Sequence, residues 1–65
     1  MAIHFEIKQR VDTCNKAWLE TVYRTESERV AKLSFDEIQR DNPDSYFELI
    51  KITHEEQCLK FTETA

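Results

Sequence analysis

Glycine is absent from the whole 65-residue sequence. Its absence excludes Gly-rich phosphate loops and the dinucleotide fingerprint. It also leaves any turn that needs positive φ to Asn or Asp. Proline occurs once. Long apolar stretches are missing as well: apolar runs last only two or three residues, and the mean hydropathy is -0.66. No segment therefore reads as a membrane span. The start, Met1-Ala2-Ile3-His4-Phe5-Glu6, shows no basic and then apolar leader, so a cytoplasmic location is expected. A basic excess is lacking too. Nine Lys and Arg stand against thirteen Asp and Glu, for a net charge of -4. That balance argues against a general nucleic-acid binder, which needs a basic face to displace counterions. The acidity is too dilute for a phosphate-backbone mimic.

What remains is the composition of one small globular domain, residues 1–65, with 34% charged residues and with one Trp, two Tyr and four Phe to build a core. A chain this short buries little apolar surface, so a second copy or a partner is expected to share in its stability. Two cysteines, Cys14 and Cys58, are expected as reduced thiols given the cytoplasmic reading.

The first segment alternates: Ile3, Phe5 and Ile7 on one side, His4, Glu6, Lys8 and Arg10 on the other, with Val11 continuing the apolar side. That is the period of a half-buried strand. Asp12 to Lys16 supplies turn formers at hairpin-loop length. Ala17 to Thr25 reads as a second strand on its Trp, Thr, Val and Tyr content, although Trp18, Leu19, Val22 and Tyr23 also fit one helical face. Thr25-Glu26-Ser27-Glu28 matches a capping box with Thr25 as N-cap. Val30, Ala31, Leu33, Phe35 and Ile38 then recur at helical spacing until Asn42-Pro43 ends the helix. A second box, Ser34 to Glu37, leaves a break near Leu33 open. Ser45 to Thr53 reads as a third strand, His54 to Gln57 as a polar loop, and Cys58 to Thr62 as a short fourth strand.

The expected fold is α+β: a ββαβ(β) two-layer sandwich with one helix on a three- to four-stranded, mainly antiparallel sheet in the order 2-1-3, strand 4 lying outside strand 3. One helix covers one sheet face, yet strands 2 and 3 carry large apolar groups on both. A β-bulge near Leu49-Ile50 would restore one-sidedness in strand 3. Two readings of the surplus stand side by side. Either it is ordinary core with scattered surface apolar residues, or it marks an interface centred on Trp18 with Val22, Tyr46, Phe47 and Leu49.

Catalytic and metal chemistry find little footing. His4, Cys14, His54 and Cys58 are the residue types of a zinc site, but Cys14 lacks a nearby second ligand, so no metal or cofactor is expected. Buried or half-buried thiols and solvent-facing histidines account for the four. No nucleophile signature surrounds either cysteine, and the chain is short for an enclosed apolar pocket. A non-enzymatic protein is expected. Lys8, Arg10, Arg24 and Arg29 offer an alternative, a small basic patch beside Trp18 for single-stranded nucleic acid, though Glu6, Glu20, Glu26 and Glu28 dilute it.

The runs Ala17-Trp18-Leu19-Glu20-Thr21-Val22-Tyr23-Arg24-Thr25-Glu26-Ser27-Glu28 and Asn42-Pro43-Asp44-Ser45-Tyr46-Phe47-Glu48-Leu49-Ile50-Lys51-Ile52, with a helix between them, resemble very short proteins encoded by bacteriophages and prophages. Those proteins have an initial strand, a Trp-bearing second strand, a Thr/Ser-Glu helix start and an Asn-Pro-Asp return. The resemblance covers most of the chain and rests on organisation. It implies a non-enzymatic accessory protein that binds a host protein, and it assigns no functional residue. The expected function is therefore protein interaction, as a dimer or by docking an apolar sheet face on a host protein.

Overall fold

The computed structural model describes residues 3–62. It contains four strands, β1 (His4–Asp12), β2 (Ala17–Thr25), β3 (Phe47–Ile52) and β4 (Glu56–Phe61), and one helix, α1 (Glu28–Asp41), between β2 and β3. The sheet order is β2-β1-β3-β4, and every neighbouring pair is antiparallel. This is the expected α+β, ββαβ(β) arrangement with all four strands formed. No described residue has positive φ, so every turn closes without the conformation for which glycine is ordinarily used. The β1–β2 loop is held by the Thr13 N–H donating to the Lys16 carbonyl at 2.7 Å, and by the Lys16 N–H donating to Thr13 Oγ1 at 3.1 Å.

The helix begins later than the first capping box implies. Thr25 is still strand, paired with Phe5, and its hydroxyl accepts from the Ser27 N–H. Ser27 is the N-cap, its Oγ accepting from the Val30 N–H at 3.3 Å, with Glu28 in the first turn and Arg40 in the last complementing the dipole. The second box at Ser34 causes no break, and α1 runs through it. Asn42 caps the C-terminus, its backbone and side-chain N–H groups both donating to the Ile38 carbonyl at 3.0 Å.

The core lies between α1 and the two central strands. Phe5 and Ile7 of β1, Phe47 and Leu49 of β3, and Ala31 and Phe35 of α1 form one buried cluster, with Ile38 and Leu59 packed against it. The pairing irregularity expected near Leu49-Ile50 is present, but its extra residue is Leu59 on β4, between Cys58 opposite Ile50 and Lys60 opposite Leu49. Pairing of β3 with β1 is unbroken from His4–Ile52 to Gln9–Phe47, so β3 alternates strictly. Phe47 and Leu49 therefore point beneath the helix and, at 1% and 0% exposure, are core residues rather than members of an exposed face. Ile50 is buried too, although it stands outside that cluster. Beside Leu59, Lys60 closes the edge of the core, its Nζ 2.9 Å from Asp36 Oδ1 and 5.5 Å from the Phe35 ring centre.

Candidate interaction surface

β2 is an edge strand, and eight of its nine residues are exposed. A second bulge lies within it: Tyr23 pairs with Ile7 and Thr21 with Lys8, leaving Val22 as the extra residue. Four large apolar side chains are partly exposed along this strand, Trp18 (45% exposed), Leu19 (42%), Val22 (42%) and Tyr23 (37%). They are half of the eight exposed large hydrophobics among the described residues. The other half, Ile3, Val30, Leu33 and Phe61, is spread over the rest of the described residues, and Leu33 and Phe61 are the most exposed of the eight. β2 pairs with β1 along its length, and although α1 touches β2 as well as β1 and β3, only Thr25 at its end is not exposed.

Of the five residues expected at an interface, the structure brings two together. Trp18 and Tyr46 line one open groove of about 280 Å³ with Arg10, Ala17, Leu19 and Glu48. Tyr46 is fixed there because its hydroxyl donates to Glu48 Oε1 at 2.9 Å. That hydrogen bond, partial burial and the Glu48 charge raise the phenol above its ordinary value. Val22 lies further along β2, and Phe47 and Leu49 are beneath the helix. Leu19 and Tyr23 belong with the exposed set though neither was expected at the site. Their alternation with Trp18 and Val22 was the available signal, and the place of β2 at the sheet edge is what leaves both members of each pair exposed.

The sheet surface away from α1 is polar at its centre. His4 Nε2 is 2.9 Å from Glu6 Oε2, and Thr21 donates to Glu6 Oε1 at 3.2 Å. Burial by itself would raise the Glu6 carboxyl, but the hydrogen bonds from His4 and Thr21 and the nearby Lys8 charge outweigh it and leave Glu6 below its ordinary value. Lys8 Nζ lies 3.9 Å from Glu56 Oε1, and Arg10 Nε lies 3.1 Å from Asp12 Oδ1. Arg24 is paired across the strands with Glu6. Two of the four residues of the conjectured basic patch, Lys8 and Arg10, are therefore ion-paired.

The two cysteines are unpaired, as expected of reduced thiols, but both are exposed, which corrects the expectation of buried or half-buried ones. Partial burial, followed by the Glu48 charge, pushes the Cys58 thiol up. That lowers its thiolate fraction and hence its reactivity as a nucleophile. Among the described residues no group of three His, Cys, Asp or Glu side chains is placed to hold a metal ion, and no helix is long and apolar enough to cross a membrane. The chain matches no protein-family model, and no curated protein or solved structure is significantly similar to it.

Proposed function

We propose that the chain is a small non-enzymatic protein-interaction module that docks through β2 and the Trp18–Tyr46 groove beside it. In this reading it is a cytoplasmic accessory protein of the phage or prophage kind, and its target is a protein. One observation carries the proposal: an edge strand on which Trp18, Leu19, Val22 and Tyr23 are all partly exposed. Trp and Tyr are the side chains that dominate binding hot spots, and an open edge offers backbone groups for strand addition. The ion pairs of Lys8 and Arg10 weigh against the nucleic-acid alternative, since paired cations release few phosphate counterions.

The test is a comparison of the wild type with a Trp18→Ala, Tyr23→Ala double variant. Both side chains are only partly exposed, at 45% and 37%, so the double truncation is expected to lower the melting temperature, and binding is compared at a temperature at which both proteins are folded. Binding of any protein captured by the wild type, or of a second copy, is expected to weaken by tenfold or more, since two hot-spot aromatics are removed. A double variant that keeps every partner and its full affinity overturns the proposal.

A further inference from the structure

We infer that the Trp18–Tyr46 groove takes a cation, an arginine side chain presented by a protein partner, and that Glu48 is its counter-charge. The inference rests on the interaction reading above and names the chemistry of what docks. Phe47 and Leu49 lie beneath the helix, so Glu48 between them projects from the opposite sheet face. There it has aromatic neighbours on several sides. The Tyr46 hydroxyl donates to its Oε1, Trp18 lines the same groove, and the exposed Phe61 stands opposite it on β4. A carboxylate among aromatic rings is complementary to a cation, which the carboxylate attracts by its charge and the ring faces by their quadrupoles.

The neighbouring cations are committed elsewhere. Lys8 is the residue opposite Glu48 on β1, yet its Nζ lies 3.9 Å from Glu56 Oε1. Arg10 lines the same groove, but its Nε is 3.1 Å from Asp12 Oδ1. Glu48 enters none of the ion pairs among the described residues. The one cation placed over an aromatic ring among them is Lys60, on Phe35 at the helix side of the sheet. The uncompensated charge is felt nearby, since it helps to raise both the Tyr46 phenol and the Cys58 thiol. Arginine suits the groove better than lysine. A flat guanidinium stacks on an indole or phenol while it donates to the carboxylate, and it gives up less hydration than an ammonium.

Trp18 is the sole tryptophan, so intrinsic indole fluorescence reports on the groove alone. The probe is a capped tripeptide with arginine between two serines, titrated at low salt into the wild type. Trp18 emission should change saturably, with an affinity about fivefold or more above that for the same peptide carrying citrulline, the uncharged isostere of arginine. The lysine peptide should bind less tightly than the arginine peptide, and the glutamate peptide should not bind. Glu48→Gln, which keeps an acceptor for the Tyr46 hydroxyl, should bring the arginine peptide down to the citrulline level. Arg10→Gln removes a like charge from the groove and should tighten binding, whereas a groove built for an anion would lose affinity. An arginine peptide that does not bind, or binds no better than the citrulline or lysine peptide, overturns the inference, and that comparison needs no variant. Weaker binding to Arg10→Gln, or unchanged binding to Glu48→Gln, overturns it too. If the arginine peptide fails while a protein partner is still lost in the Trp18→Ala, Tyr23→Ala variant, the cation site falls and the interaction reading stands. If neither kind of binding occurs, both fall.

Discussion

Glu6 joins three residues that are remote in different ways: His4 two positions back on the same strand, Thr21 across the hairpin, and Lys8 one pleat further on. Its carboxyl is held below its ordinary value of 4.5 in the folded chain, so the folded state binds that proton less readily than the unfolded one. The stabilisation is therefore complete above the ordinary carboxylate value and is lost as pH falls through it to the lower folded value. Replacing Glu6 by Gln removes that titration. In urea unfolding at a series of pH values, Glu6→Gln should cost stability near neutrality and show a shallower loss below pH 4.5 than the wild type. Parallel acid limbs would show that Glu6 contributes no pH dependence. The alternation of His4, Glu6 and Lys8 was legible in the sequence, since it needs only period two. The Thr21 partner was not, because it depends on the hairpin register and hence on the bulge at Val22.

Elements were legible where one local signal acted alone, and their edges shifted where two competed. The second segment runs from Ala17 to Thr25 as read, because β-branched and aromatic content outweighed a helical spacing too short to nucleate. The helix start moved from Thr25 to Ser27 because Thr25 satisfies two candidate roles and strand pairing with Phe5 took precedence. β4 begins at Glu56 rather than Cys58, since pairing with Lys51 and Ile52 extends the strand into polar residues that read as loop. The cap assignment is directly testable. Ser27→Ala removes the acceptor for the Val30 N–H and should cost about 1 kcal/mol, a drop of roughly 4–8 °C in Tm for a domain of this size. Thr25→Ala, which removes only the acceptor for the Ser27 N–H, should cost less. Equal losses at the two positions, measured by thermal melting, would mean that both hydroxyls cap the helix to the same degree.

At the scale of the molecule, one helix on four strands leaves seven buried apolar residues among those described, and six of them form a single cluster. The two-sided apolar pattern of the third segment resolves differently from that of the second. On β3, flanked on both sides, even the residue facing away from α1 is covered, as Ile50 shows; on β2, at the edge, both faces stay open. Sequence alone could not separate these cases, because strand order rather than composition decides which pattern is buried. The consequence is a division of labour that mutation can expose. Leu49 is fully buried between β1 and β4 beneath the helix, and Leu49→Ala should cost about 2–5 kcal/mol. A single core in a chain this short seldom supplies more than about 3–5 kcal/mol. The variant should therefore be largely unfolded at 37 °C, with its urea midpoint shifted toward zero. Leu19→Ala, on the edge strand, removes the same number of carbon atoms from a side chain that keeps 42% of its surface exposed, and should shift the midpoint of the monomer clearly less. Equal midpoints for the two variants would mean that the apolar surface along β2 stabilises the isolated fold as much as the core does, and that it is not held in reserve for a second chain.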